Sequence, residues 1–224
     1  MPDQGAFDWF GGVLVEHAGL LGSGYIRTVL LVAVSFVASL AVGTVVAVFR
    51  LAPLPVVPGL ARAEVEAFRN TPLLVQMGLF WLGLGSIGIR LTPFVAAALA
   101  LSLYTGAYVT ESIRAGVATV GPGQREAAYA VGLTFTGSMR HIILPQAFRA
   151  VIPPLGNLFI AMIKNSAIAS AIAVPELLYV SEVLDGRTFR TFEIFTGVLI
   201  GYLSLTLPAG AVVRRLERRL EIKR

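Results

Sequence analysis

Apolar residues run along this chain in long blocks, and charged residues mark where the blocks end. Thr28 to Phe49 is 22 residues without a charge, between Arg27 and Arg50. Asn70 to Ile89 is 20 residues between Arg69 and Arg90, and Leu91 to Thr110 is another 20 before Glu111. A helix needs about 20 apolar residues to cross a bilayer, so each block predicts a span. One helix running through Arg90 would be ~60 Å long, about twice the hydrocarbon core. Gly83, Gly85, Gly88 and Pro93 predict a tight hairpin there instead. A fourth block, Ala150 to Ile163, stops after 14 residues at Lys164. A helix starting at Pro153 and stopping before Pro175 has 22 residues, with Lys164 and Asn165 inside it. Ile194 to Val213 is the fifth block, of 20 residues. The expected spans are therefore about 26–49, 72–88, 92–112, 153–174 and 194–213, in an all-α integral membrane protein with five transmembrane helices. The small residues Ala33, Ser35, Ala38, Ser39 and Gly43 predict a packing face on the first span.

Composition agrees with the pattern. The chain of 224 residues is 56% hydrophobic and 14% charged, against about 25% charged in soluble domains. Its mean hydropathy is +0.78. A soluble domain and a disordered chain are both excluded. The net charge of +5 does not predict nucleic acid as a partner, because no basic stripe is interleaved with stacking aromatics. There are no cysteines and only two histidines, His17 and His141. No metal site, cysteine nucleophile or other catalytic constellation is expected. Asp3, Asp8 and Glu16 stand where a secretory signal carries Lys or Arg, so residues 1–24 are expected to remain as an outer-side segment. Phe7, Trp9 and Phe10 in it fit either an interfacial helix or an amphipathic surface.

An odd number of spans puts the two ends on opposite sides. Residues 50–69, 114–149 and 214–224 hold 13 of the 18 Lys and Arg. The positive-inside rule then places the N-terminus outside and the C-terminus in the cytoplasm. Residues 214–224 form a basic tail suited to anionic lipid.

The segment from Glu111 to Arg149 is too polar to span and too long for a plain connection. Gly121-Pro122-Gly123 predicts a turn, Glu126 to Val131 a short helix, and Gly132 its left-handed end. A second short helix is expected from Thr136 to about His141, stopped by Pro145. Two readings fit: a rigid knob that docks in a partner's groove, or an amphipathic interfacial loop.

Glu126-Ala127-Ala128, then Gly132, then Ile142, Leu144 and Pro145 resemble the signature loop of ABC importer permeases, with Leu133 following the glycine. Phe68-Arg69-Asn70-Thr71-Pro72-Leu73-Leu74-Val75-Gln76 resembles the motif that opens the second span of polar amino acid permeases. In it Thr71 is expected to cap the helix and Pro72 to be its first residue. Ile163-Lys164-Asn165-Ser166-Ala167-Ile168 resembles that subfamily's Lys-Asn-Thr-Ser-Leu segment, with one hydroxyl fewer. Tyr104-Thr105-Gly106-Ala107 is most similar to glutamate-type permeases.

The resemblance covers about residues 20–220. It implies the type I importer permease fold over residues 25–213, with coupling helices at about 121–145 between the third and fourth spans. It also implies a multi-pass protein of the bacterial cytoplasmic (inner) membrane, carrying a polar amino acid, glutamate or aspartate favoured. The implied partners are a second permease subunit (this chain or a paralogue), two ABC ATPase subunits and an extracytoplasmic amino-acid-binding protein. The ATPase would use ATP and Mg, and this chain would bind no cofactor.

The residues themselves agree that the power source lies elsewhere. A P-loop needs a lysine after glycine, and the only lysines are Lys164 and Lys223. Gly83-Leu84-Gly85-Ser86-Ile87-Gly88 matches a dinucleotide fingerprint but ends an apolar span rather than a strand. Lys164, with Asn165 and Ser166, is a candidate to hold a substrate carboxylate near the bilayer midplane. Snorkelling, or a structural pair with Glu111 or Glu176, is the other reading. Gln76, Tyr104 and Thr105 face either the pathway or a neighbouring helix. Other functions compatible with the composition are a permease for another small polar solute or a basic or amide amino acid, an ATP-independent channel or secondary carrier, and a membrane-embedded enzyme.

Overall fold

The structure is a computed structural model that describes residues 11–220. Phe7, Trp9 and Phe10 lie outside that range, as do the last four residues of the basic tail. All regular structure among the described residues is helical. In chain order the helices are α1 (Gly12–Glu16), α2 (Ala18–Leu51), α3 (Val57–Arg69), α4 (Leu73–Gly78), α5 (Leu84–Ser86), α6 (Pro93–Ala118), α7 (Pro122–Ala130), α8 (Phe135–Ser138), α9 (Leu144–Asn165), α10 (Leu177–Thr188) and α11 (Thr191–Leu220). π-Turns over Leu79–Gly83 and Met139–Ile143 join α4 to α5 and α8 to α9, and a 3-10 helix over Ser166–Ile172 continues α9.

Four helical runs are long and apolar enough to cross a membrane: Ala18–Leu51, Pro93–Ala118, Phe135–Ile172 and Thr191–Arg219. The second apolar block, expected as a span at about 72–88, is a shorter helix. It is helical only over Leu73–Ser86, roughly 21 Å even if drawn as one straight helix. Gly88, at φ +90°, turns the chain before Arg90 and ends it. Thr71 does not cap it either. Its hydroxyl donates back to the Ala67 carbonyl at 2.8 Å, and Pro72 takes the cap position.

The larger departure lies at Pro145. The sequence predicts a stop there and a fresh start at Pro153, but the helix runs without a break from Phe135 to Ile172. Proline in a helix lacks an N–H and crowds the carbonyl four residues back, here His141. The wider π-turn over Met139–Ile143 precedes Pro145 and makes room for that ring.

The chain divides into two compact units. The first comprises Met1–Ser35, Pro72–Leu101 and Met162–Pro208; the second comprises Phe36–Thr71, Ser102–Ala161 and Ala209–Arg224. In the first unit Val13, Leu184 and Ile194 form a buried cluster with Leu14 and Leu21 against it. The buried Glu193 carboxylate caps α1 by accepting from Gly11 N at 2.8 Å and Val13 N at 3.1 Å, and Arg190 pairs with it at 2.6 Å. Glu176 is fully buried. It caps α10 by accepting from Tyr179 N at 2.8 Å, and the Tyr202 hydroxyl donates to it at 2.6 Å. The Thr28 hydroxyl lies 3.3 Å from the same carboxylate and accepts from Leu177 N at 3.0 Å. This one side chain thus ties α2, α10 and α11 together.

In the second unit the packing face of α2 is Ser39, Gly43 and Ala47, four residues apart and all buried. Ala33, expected on the packing face, is exposed. Gly43 lets α6 approach closely: the Thr110 hydroxyl lies 3.0 Å from both the Gly43 and Gly106 carbonyls. A Cβ on Gly43 would sit 2.6 Å from the Gly106 oxygen and 2.6 Å from the Val109 Cβ. Gly43→Ala is expected to cost about 1–3 kcal/mol by overpacking. Gly85→Ala, with nothing within 4 Å of the new methyl, should be far milder. The thermal midpoint of the purified protein in lipid ranks the two.

Candidate functional site

The polar segment after α6 folds as a helix, a glycine turn and a second helix within the second unit. Pro122 opens α7, where its missing N–H costs nothing. At the other end Gly132 adopts φ +84°, its amide donates to Tyr129 O at 2.9 Å, and Leu133 N donates to Ala128 O at 3.0 Å. These two bonds close a Schellman cap, for which glycine is the favoured residue. Thr134 then caps α8 by accepting from Gly137 N at 3.2 Å. Ala128 is fully buried, whereas Glu126, Ala127, Leu144 and Pro145 are exposed and Leu133 and Ile142 half-buried. Tyr129, Val131 and Phe135 are apolar and exposed around the turn. The root of the loop is fixed by Ile143 and Ala147, which pack with Val117 and Val120.

The predicted pathway residues fall in both units. Lys164 is exposed near the C-terminal end of α9, not at the centre of a span that begins at Pro153. Among the described residues it enters no ion pair. The two carboxylates considered for it are engaged elsewhere, Glu111 with Arg50 at 3.1 Å and Arg114 at 2.8 Å, and Glu176 with hydroxyl and amide donors. Asn165 is half-buried and Ser166 fully buried, with its hydroxyl donating to Ile163 O at 2.7 Å. Gln76 is buried on α4, which packs against the 3-10 helix that follows Asn165. Tyr104 and Thr105 lie in the second unit. Thr105 is buried, and the Tyr104 hydroxyl lies 3.3 Å from that of Tyr108.

Sequence reasoning missed two groups. One is the Glu176 network, whose partners are far apart in the chain. The other is Arg50, Glu111 and Arg114, with the Arg69 guanidinium 4.9 Å from the centroid of the Tyr108 ring. Arg50, Arg69 and Glu111 were visible as the ends of apolar blocks, and only their pairing was not.

The family of binding-protein-dependent transport system inner membrane components matches residues 39–222. The chain belongs to this family. It is 39% identical over 209 residues to a probable glutamine ABC transporter permease of Bacillus subtilis, covering 93% of this chain and 97% of the relative. It is 37% identical over 210 residues to a glutamate transport system permease of Corynebacterium efficiens, covering 88% and 92% of the two chains. A crystal structure of an amino acid ABC transporter with histidines superposes at a TM-score of 0.88 with 35% identity, covering 92% and 96%. The permease is thus a membrane-spanning ABC importer subunit for amino acids, and ATP is hydrolysed by a separate subunit of such systems.

Proposed function

We propose that this permease forms half of the translocation pathway of an importer for glutamine or glutamate, and that it receives the ATPase stroke through the loop from Glu126 to Pro145. The observation carrying the proposal is the loop itself: two short helices fixed by a Schellman cap, rooted in a buried cluster, with Tyr129, Val131 and Phe135 presented outward. A shape of that kind fits a groove on a partner. A second permease subunit, two ATPase subunits and an extracytoplasmic amino-acid-binding protein complete the assembly. The acidic preference read from Tyr104-Thr105-Gly106-Ala107 widens to the amide, because the similar proteins carry the names of both amino acids.

Orientation follows from charge. Residues 50–69, 114–149 and 214–224 hold 13 of the 18 Lys and Arg, which supports placing these segments on the cytoplasmic side and the N-terminus outside. Uptake of labelled glutamine and glutamate by vesicles holding the whole transporter tests the substrate, and failure of both to enter with ATP would overturn it.

Within this reading Lys164 holds the substrate carboxylate, since it is a cation that makes no ion pair among the described residues. Lys164→Ala is expected to raise the half-saturating concentration for transport about tenfold, the loss of one charge-assisted hydrogen bond. An unchanged half-saturation and substrate profile would remove Lys164 from the pathway.

A further inference from the structure

The second unit carries a groove of about 320 Å³ between α2, α9 and α11, lined by Phe36, Leu40, Ile152, Phe159, Val212 and Leu216, among others. No polar side chain lines it, so it offers water no partner. Gly156 brings α9 close to α11 there: a Cβ would lie 2.5 Å from Val213 Cγ2. Phe159 is the lining residue furthest from Arg149 along α9, and its ring meets Phe36 edge-on at that end, 4.9 Å between centroids. Arginines stand at the other end. Arg149 comes three residues before Ile152 on α9, and Arg219 three residues after Leu216 on α11. Each therefore lies about one turn beyond the groove, on the flank of its lining face. Both are exposed, and neither enters an ion pair among the described residues. Arg214, Arg215 and Arg218 add to the charge on this end of α11, where Glu217 is the one carboxylate within residues 209–220.

From this arrangement we infer that the groove is a binding site for an anionic phospholipid, with one acyl chain between α2, α9 and α11 and the phosphate on Arg149 and Arg219. A planar guanidinium offers paired donors to a phosphate, and its long stem reaches the headgroup level from a position just inside the hydrocarbon. The lining runs seven residues along α9 and seven along α11, roughly 10 Å, which seats part of one chain within a single leaflet of about 15 Å. An apolar helix would fill the groove but leave the arginines without a counter-charge. A phospholipid supplies chain and charge in one molecule, in the order in which groove and arginines follow each other. Arg149 comes from a different helix than the basic tail, which makes this a defined site rather than a general attraction to charged lipid. The orientation proposed above assigns the lipid to the inner leaflet; the site itself stands whichever way the chain faces.

The test uses the assembled transporter in nanodiscs of phosphatidylcholine, with a trace of phosphatidylglycerol carrying a photoreactive diazirine in the middle of one acyl chain. The matched phosphatidylcholine probe is run beside it, and labelled residues are located by mass spectrometry. Phosphatidylglycerol is expected to label residues 152–159 and 209–216 about tenfold to thirtyfold more than phosphatidylcholine does. Leu199 and Ile200, exposed more than two turns before Ala209 on α11, should not distinguish the two probes. Combining Arg149→Gln with Arg219→Gln should bring labelling by phosphatidylglycerol down to the phosphatidylcholine level, with partial recovery in the paired lysine variant. Both arginines are exposed, so the thermal midpoint in phosphatidylcholine should not change, and that measurement separates lost binding from lost folding. Equal labelling of the groove by the two probes overturns the site and leaves a surface that merely faces lipid. A preference that survives the paired substitution in folded protein overturns it as well. No labelling of the groove by either probe, in an assembly whose Leu199 and Ile200 do label, shows that another subunit covers it and overturns the lipid as its occupant.

Discussion

Gly132→Leu should separate ATP hydrolysis from uptake. The backbone at Gly132 has φ +84°, and a side chain there pays roughly 1–2 kcal/mol in local strain. No atom lies within 4 Å of the added Cβ, so the chain itself accepts the bulk. The leucine would instead project from the exposed turn between α7 and α8, toward whatever receives the loop. Loss of a well-packed contact of this kind is worth 2 kcal/mol or more, so uptake is expected to fall by about thirtyfold to a hundredfold or beyond. ATP hydrolysis should continue but lose its stimulation by substrate. Asparagine tolerates left-handed backbone better than leucine, so Gly132→Asn relieves much of the strain and keeps the bulk. If Asn behaves like Gly, strain is the cause; if it behaves like Leu, docking is. Uptake and substrate-stimulated hydrolysis both at wild-type level in Gly132→Leu would remove the loop from coupling.

Glu176→Ala should be the most damaging single change to folding. It removes the acceptor for Tyr179 N and for the Tyr202 hydroxyl, and the neighbour of the Thr28 hydroxyl, at a residue with no exposed surface. Each buried donor left unpaired costs about 1–3 kcal/mol. The total expected is about 3–5 kcal/mol, in the range found when one partner of a buried polar network is deleted. For a chain of this size that corresponds to a fall in thermal midpoint of about 10 °C or more, with lower yield from the membrane. Glu176→Gln keeps one acceptor oxygen and should lose only part of this. A Glu176→Ala protein with wild-type midpoint and yield would show that α2, α10 and α11 are held together by other means.

What could be read from the sequence follows the range of the interactions. The ends of the apolar blocks were legible because a charge is expensive in lipid, so Arg50, Arg69 and Glu111 marked boundaries. The turn at Gly132 was legible because a glycine-ended helix is a local event. The turn after the second block was legible in the same way, from Gly83, Gly85, Gly88 and Pro93, and Gly88 takes the left-handed backbone there. Pro145 misled: proline is read as a stop, but a π-turn on its N-terminal side lets the helix pass. The Glu176 network was invisible because Thr28, Glu176 and Tyr202 are brought together by folding alone. Lys164 was legible as an unusual charge, yet its position near the end of α9 depended on where that helix begins.

The two π-turns carry one further consequence. A π-turn is an α-helix that has taken in one additional residue and bulged to hold it. Removing a residue elsewhere in a helix rotates everything beyond by about 100° and exchanges its faces. Removing one from Leu79–Gly83 restores regular winding and leaves the downstream faces in phase, whereas removing one from Met139–Ile143 also drives the Pro145 ring against the carbonyl four residues back. The π-turn between the glycine turn and the long helix that ends in Lys164 and Asn165 is therefore held in place by Pro145, and the one over Leu79–Gly83 is not. At Leu79–Gly83 a mutation by deletion is a change of slack, not of direction.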